Sequence, residues 1–242
     1  MTTFERTYSW FRPFLPAIYG LVYRRLNRIA RSYADTPRVL DVGGRKSQYT
    51  IGVPARITIS ELPRETATQE KLDLGLSQRM IDQTMQRRSN VDRVLFDNMT
   101  HSSMSDNSYE CIVAVEVLEH VDEDDLFVGE VHRILKPGGV FFMTTPNGDF
   151  VKKGANPDHR RHYTRKQLSE LLARSFAEVE VQYAVPKGMF HNLGMKPWSL
   201  SRPLPTMLSM LGNAISGIQS RSPSVRLRAM NTQHLVAFAR RK

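Results

Sequence analysis

Seven short apolar runs separated by helical stretches constrain this chain more than any other feature. The runs cover 38–42, 56–60, 91–97, 109–115, 139–145, 178–185 and 233–240, and helical spacing marks 64–88, 122–135 and 164–175 between them. Strands that alternate with helices need crossover connections, so they build a largely parallel sheet with both faces covered. The expected fold is therefore α/β, a doubly wound sheet. Thr164 with Gln167 three positions on forms a reciprocal helix cap at the start of the third helical stretch. Ahead of the sheet, Ile18, Leu21, Val22, Leu26 and Ile29 share one helical face, arginines lie between them, and Pro37 ends the pattern. The expected division is a helical extension over 1–36 and a main domain over 37–242. In that domain, 186–231 is an insertion or cap before the last strand.

Composition excludes several classes. Of 242 residues, 40% are hydrophobic and 24% charged, which is ordinary for a globular chain and unlike collagen, coiled coil or disorder. A lone Cys111 forms no internal disulfide and, inside an apolar run, reads as a small buried hydrophobe. No run of about 18 apolar residues reads as a membrane span, and Pro16 interrupts the one apolar stretch near the start. The expected location is cytoplasmic, with peripheral membrane contact open. The net charge of +10 is uneven: residues 1–35 carry six basic and two acidic side chains, and 186–242 carry nine basic and none acidic. The central fold is near neutral, so whatever the basic surface meets, it meets at the ends.

The chemistry gathers at the ends of the runs. The first closes as Val39-Leu40-Asp41-Val42-Gly43-Gly44, where glycines let a ligand approach backbone at the carboxyl edge of the sheet. The second ends at Glu61-Leu62, twenty residues after Asp41, an offset at which a carboxylate accepts from a ribose diol. The third ends in Asp97-Asn98-Met99, an acid and backbone suited to an adenine edge. The fourth is followed by Glu116-Val117-Leu118-Glu119-His120-Val121. One such acid is a weak sign; four along one sheet edge mark a ligand crevice.

These residues, with Asp106-Asn107-Ser108-Tyr109-Glu110, Leu135-Lys136-Pro137-Gly138-Gly139 and Thr144-Thr145-Pro146-Asn147, resemble the class I S-adenosylmethionine-dependent methyltransferases of the small type 11 kind over about two thirds of the chain. The resemblance implies a Rossmann-like, seven-stranded sheet whose last hairpin includes one antiparallel strand, and S-adenosyl-L-methionine as cofactor. It implies that Asp41 and Gly43 surround the methionine part, Glu61 holds the ribose, and Asp97 with the Met99 backbone addresses adenine; Gly44, Leu62 and Asn98 beside them are further expected cofactor contacts. Glu116 completes the edge. The chain departs from the family at Arg45 and Ser47, where further glycines are usual. Arg45 either pairs with the cofactor carboxylate, which is the favoured reading, or closes the pocket.

Methyl transfer to a hydroxyl needs a base. His120, beyond the fourth strand, is the first candidate, and His162 in Asp158-His159-Arg160-Arg161-His162-Tyr163 is the second. A metal at His159 and His162 lacks a clear third ligand beyond Asp158, so no metal site is expected. Residues 203–220 carry no charge and place Leu204, Met207, Leu208, Leu211, Ile215 and Ile218 at helical spacing. The commoner reading is a helix packed on the core; the sharper one is a lid over an apolar acceptor or a helix in a membrane interface. The expected partner is a small-molecule, saccharide or lipid-type acceptor, methylated on oxygen. The Glu116–Glu119 stretch and the lack of an RNA-binding motif argue against nucleic acid. A non-catalytic adenosyl-binding protein, a nucleic-acid methyltransferase and a dinucleotide oxidoreductase stay open as alternatives.

Overall fold

The computed structural model of the chain describes residues 1–44, 47–62, 78–151 and 158–242. Seven strands, β1 (Arg38–Val42), β2 (Arg56–Glu61), β3 (Val91–Phe96), β4 (Tyr109–Val115), β5 (Leu135–Pro146), β6 (Glu178–Pro186) and β7 (Thr232–Arg240), form one sheet in the order β3-β2-β1-β4-β5-β7-β6. β1 lies between β2 and β4, parallel to both, with Asp41 opposite Ile59 on one side and Val113 on the other. β7 runs antiparallel to both β5 and β6, as the resemblance implied. The chain order reverses between β1 and β4, and an open α/β sheet binds ligands outside the strand ends at such a switch point.

Successive residues of a strand face opposite sides, so each central strand feeds two cores. Leu40, Ile112 and Phe141 enter one with Val131 and Leu168; Val39, Val113 and Phe142 enter the other with Val22 and Leu26. The first core is covered by α4 (Asp124–Ile134) and α5 (Arg165–Ala173), whose reciprocal cap of Thr164 and Gln167 is present. The second is covered by α2 (Ala17–Arg31), which buries Ala17, Ile18, Val22, Leu26 and Ala30. The chain before it forms α1 (Thr3–Phe11) and a 3-10 turn at Arg12–Phe14. The helix expected over 64–88 is represented by α3 (Gln78–Arg87), and its earlier part lies outside the described residues. The strand expected from Gly139 begins four residues sooner, at Leu135, since the backbone of Gly138 and Gly139 pairs with Arg241.

The 186–231 segment contains three helices, α6 (Met189–Gly194), α7 (Pro203–Gln219) and α8 (Pro223–Leu227). Here the commoner expectation, an apolar stripe packed on the core, is reversed. α7 buries Ser209, Gly212, Asn213 and Ser216 and turns its large side chains outward, with Leu204 65%, Leu211 53% and Ile218 64% exposed. The small residues explain it. A Cβ on Gly212 would stand 2.8 Å from the carbonyl oxygen of Phe190, and Ser209 and Asn213 both donate to the Gly194 carbonyl. Close backbone approach and buried hydrogen bonds seat α7 against α6, and the leucine face is left over.

Candidate active site

The turn after β1 is shaped by its glycines. Gly43 takes φ +67°, and its N–H donates to the Ser60 carbonyl at the end of β2. A Cβ there would stand 2.8 Å from a methyl of Val117, so β1, β2 and the loop after β4 meet with no room for a side chain. A Cβ on Gly44 would overlap the Asp41 carboxyl carbon. Asp41 itself is fully buried and does not face the crevice. Its oxygens accept from the Tyr49 hydroxyl (2.9 Å) and the Thr50 hydroxyl (3.2 Å). Arg88, also buried, donates to the Ser47 carbonyl and to Thr50 behind it. Burial pushes the Asp41 carboxyl up to about 6, against the opposing pull of Ser47, Tyr49, Thr50 and the Arg88 charge. Asp41 and Gly44 thus hold the turn together where contact with the cofactor was expected, and Arg45 lies outside the described residues.

Beyond this turn a cavity of about 550 Å³ opens across the carboxyl ends of β1 to β4. Its walls are Val42 and Gly43 from β1; Ser60, Glu61 and Leu62 from β2; 97–100 after β3; and Glu116, Val117 and 120–123 after β4. The expected residues Gly43, Glu61, Leu62, Asp97, Asn98, Met99, Glu116 and His120 are therefore brought together. The Asp97 Oδ1 accepts from the Ser103 N–H (2.9 Å), whereas its Oδ2 is buried with no hydrogen-bond partner among the described residues. A buried orphan acceptor in the wall of a cavity is the partner an exocyclic amine needs. Leu62, Met99, Val117 and Phe127 supply apolar surface beside it, and the volume lies in the range of small-ligand sites. The residues present fit an adenosyl group.

At the inner end stands a cluster of carboxylates and imidazoles. Glu116 adopts φ +55°, a conformation side chains seldom take. Its N–H donates to the Thr144 carbonyl, and its Oε1 accepts from the Thr144 hydroxyl (2.8 Å) and contacts His234 Nδ1 (3.1 Å). Burial raises the Glu116 carboxyl, but His234, Thr144 and His159 outweigh it and hold it below the usual carboxylate range. Glu119 is driven the other way, well above that range, by burial and then by the Glu116 charge. The two neighbouring carboxyls are thus pushed in opposite directions. The 158–163 stretch is tied to this loop: the Arg160 N–H donates to the Glu119 carbonyl (2.7 Å), and His120 Nδ1 to the Asp158 carbonyl (3.0 Å).

The two candidate bases part company here. His120 lines the cavity with Nε2 unengaged by any described hydrogen bond. His162 does not line it; its Nδ1 meets the Val151 carbonyl and its Nε2 meets His159. Glu119 was legible as part of the Glu-His pair after β4 but was given no role of its own. His234 carried no signal, since only the antiparallel β7 brings it beside Glu116.

Residues 51–143 match the family model described as a methyltransferase domain. The chain is 35% identical over 102 residues to a Mycolicibacterium smegmatis protein named as a probable S-adenosylmethionine-dependent methyltransferase, a match covering 40% of this chain and 38% of that one. It is 37% identical over 86 residues to the mitochondrial ubiquinone biosynthesis O-methyltransferase of Mus musculus, covering 34% of this chain. The chain spans 38% and 18% of the lengths of these two relatives. In fold it is similar to a SAM-dependent methyltransferase from Archaeoglobus fulgidus, with TM-score 0.58 over 92% of this chain and 94% of the other at 14% identity. Residues 51–143 thus match a methyltransferase domain, the two relatives make the chain similar to S-adenosylmethionine-dependent methyltransferases, and the seven-stranded sheet gives it the Rossmann-like fold of the class I enzymes.

Proposed function

We propose that the protein transfers a methyl group to an oxygen of a small acceptor that carries an apolar portion. The observation that carries this reading is the presence of two spaces of different character. The cavity with its acid and imidazole cluster lies at the strand ends, and an apolar cleft of about 590 Å³ lies between α1–α2 and α6–α7. Phe4, Phe11, Leu15, Tyr19, Met195 and Trp198 line the cleft. Tyr19 of the cleft is near enough to Glu116 of the cavity that burial together with the Glu116 charge raises its phenol. The relative named for O-methylation in ubiquinone biosynthesis supports oxygen as the acceptor atom.

S-adenosylmethionine, when bound, supplies a methyl on a cationic sulfur, a leaving group already activated for in-line displacement. The protein's part is then mainly alignment, worth roughly 7–11 kcal/mol in effective concentration. The Asp97 Oδ2 and the Met99 backbone would hold the adenine edge, and Glu61 would hold the ribose hydroxyls. Taking the hydroxyl proton falls to His120 Nε2, since Nδ1 is spent on a carbonyl that only accepts; such a base contributes about 10²–10⁴-fold. His162 acts behind it, through His159. Incubating the protein with methyl-labelled donor and either a prenylated catechol or the same catechol without its tail tests this. The reading expects label on oxygen and a higher kcat/KM for the tailed acceptor; equal rates, or no label on either, would refute it.

The outward leucine face of α7 supports a second element of this reading, that the acceptor is reached at a membrane surface. Among the described residues no helix is long and apolar enough to cross a membrane. A helix can instead lie in the interface if its apolar face is flanked by cations. Arg202 and Arg221 bracket α7, Lys196, Arg226 and Arg228 lie nearby in sequence, and residues 186–242 contain no acid to repel an anionic bilayer. Trp10 of α1, 81% exposed, adds an interfacial aromatic at the other basic end. In flotation with phosphatidylglycerol vesicles at low salt, the chain should float. The exposed-face change Leu204→Glu with Leu211→Glu should leave it at the bottom with its circular dichroism unchanged; a parent chain that stays at the bottom refutes the membrane element.

A further inference from the structure

We propose that Glu119, His120 and His159 form a binding site for one divalent transition-metal ion at the inner end of the cavity. These three side chains bring one carboxylate oxygen and two ring nitrogens within 4.8 Å of one another. They come from the turn after β4 and from the 158–163 stretch, which is why spacing along the chain hid the third ligand.

The carboxylate is poised for it. Glu119 is fully buried; its Oε2 accepts from the Thr145 hydroxyl (3.0 Å), and its Oε1 is buried with no hydrogen-bond partner among the described residues. An orphaned buried acceptor costs about 1–3 kcal/mol unless something satisfies it, and a cation does so.

Both rings are turned to suit. His120 Nδ1 meets the Asp158 carbonyl at 3.0 Å. A carbonyl only accepts, so Nδ1 bears the hydrogen and Nε2 keeps its lone pair. His162 Nδ1 meets the Val151 carbonyl at 2.9 Å, so its Nε2 accepts from His159 Nδ1 at 2.7 Å, and the lone pair of His159 is again on Nε2. These tautomers follow from the hydrogen-bond network. Metal-ligating imidazoles are held in this way, the far nitrogen donating to an outer partner that fixes the tautomer and raises basicity. The two rings meet edge to face, with centroids 4.8 Å apart.

One carboxylate with two imidazoles suits the ions from Mn²⁺ to Zn²⁺ better than Ca²⁺ or Mg²⁺, which prefer oxygen. Bonds near 2.1 Å bring ligand atoms to about 3.4 Å apart, a closure within reach of side-chain rotation because His120 is exposed on a single 3-10 turn. Three ligands leave a position open toward the cavity that His120 and Asp158 line. Ion binding needs neither cofactor nor acceptor and so stands apart from methyl transfer. It engages the His120 lone pair, so a bound ion and the base role of His120 exclude each other.

The test uses the tag-free full chain, stripped with EDTA, titrated with Co²⁺ and Zn²⁺ by calorimetry and by the visible absorption of bound Co²⁺. One ion per chain is expected. Glu119→Gln, His120→Ala and His159→Ala should each weaken binding at least about tenfold. His162→Ala, which removes only the outer partner, should weaken it by about 10–100-fold with the fold intact. No uptake by the parent chain overturns the proposal. So does uptake that His120→Ala, a change at an exposed side chain, leaves unaltered, since the ion would then sit elsewhere.

Discussion

Replacing Arg88 by alanine should cost about 3–5 kcal/mol of folding stability, read as a fall in the denaturant midpoint with the slope preserved. Arg88 is buried at the end of α3, where its guanidinium donates to the Ser47 carbonyl and hydroxyl and to the Thr50 hydroxyl. It is also the cation that offsets the buried charge of Asp41. Removing one partner of a buried charge pair leaves the other uncompensated, which costs far more than a surface ion pair is worth. Three acceptors lose their donor at the same stroke. Since Gly43 is anchored only by what surrounds it, cofactor affinity should fall along with stability. A loss below about 1 kcal/mol would show that Arg88 is solvated and that the turn stands without it.

The same network makes stability depend on pH in a direction unusual for a carboxylate. The Asp41 carboxyl is pushed up to about 6 in the folded chain, whereas an unfolded Asp titrates near 3.9. The folded state therefore holds the proton more tightly. Asp41's contribution is fully present below about pH 4 and is lost as pH rises through about 6. The loss is on the order of 3 kcal/mol. Glu5, Glu110 and Glu130 have lowered values and act in the opposite sense, so the raw curve mixes both. Urea titrations of the parent and Asp41→Asn between pH 4 and 7 separate them: relative to the parent, the variant should gain stability as pH rises. A difference that is flat in pH would mean that Asp41 is not desolvated as the structure has it.

The strand pattern was legible because each central strand is buried on both faces and reads as an unbroken apolar run. β1, β4 and the caps of α5 needed nothing beyond local sequence. The acids at the strand ends were legible for the same reason, as chain order delivers Glu61, Asp97 and Glu116 to one edge. What failed was whatever depended on a partner distant in sequence. Asp41 looked like a ligand contact because nothing local announces Tyr49, Thr50 and Arg88 closing over it. The α7 stripe looked like core because periodicity locates an apolar face without saying what it meets. Ser209, Gly212 and Asn213 decide that, by fitting against α6 more closely than leucine would. Likewise, Glu119 and His120 come beside His159 only through the fold, so spacing along the chain does not show that cluster.

The central claim is that the crevice across β1 to β4 grips an adenosyl group through Glu61 and Asp97. Titration calorimetry with S-adenosylhomocysteine tests it without requiring any acceptor. The parent chain should bind one equivalent, and Glu61→Ala, losing hydrogen bonds to a charged acceptor worth about 1.5–3 kcal/mol, should bind roughly 10–100-fold more weakly. No heat from the parent chain, or an affinity that Glu61→Ala leaves unchanged, would contradict the account.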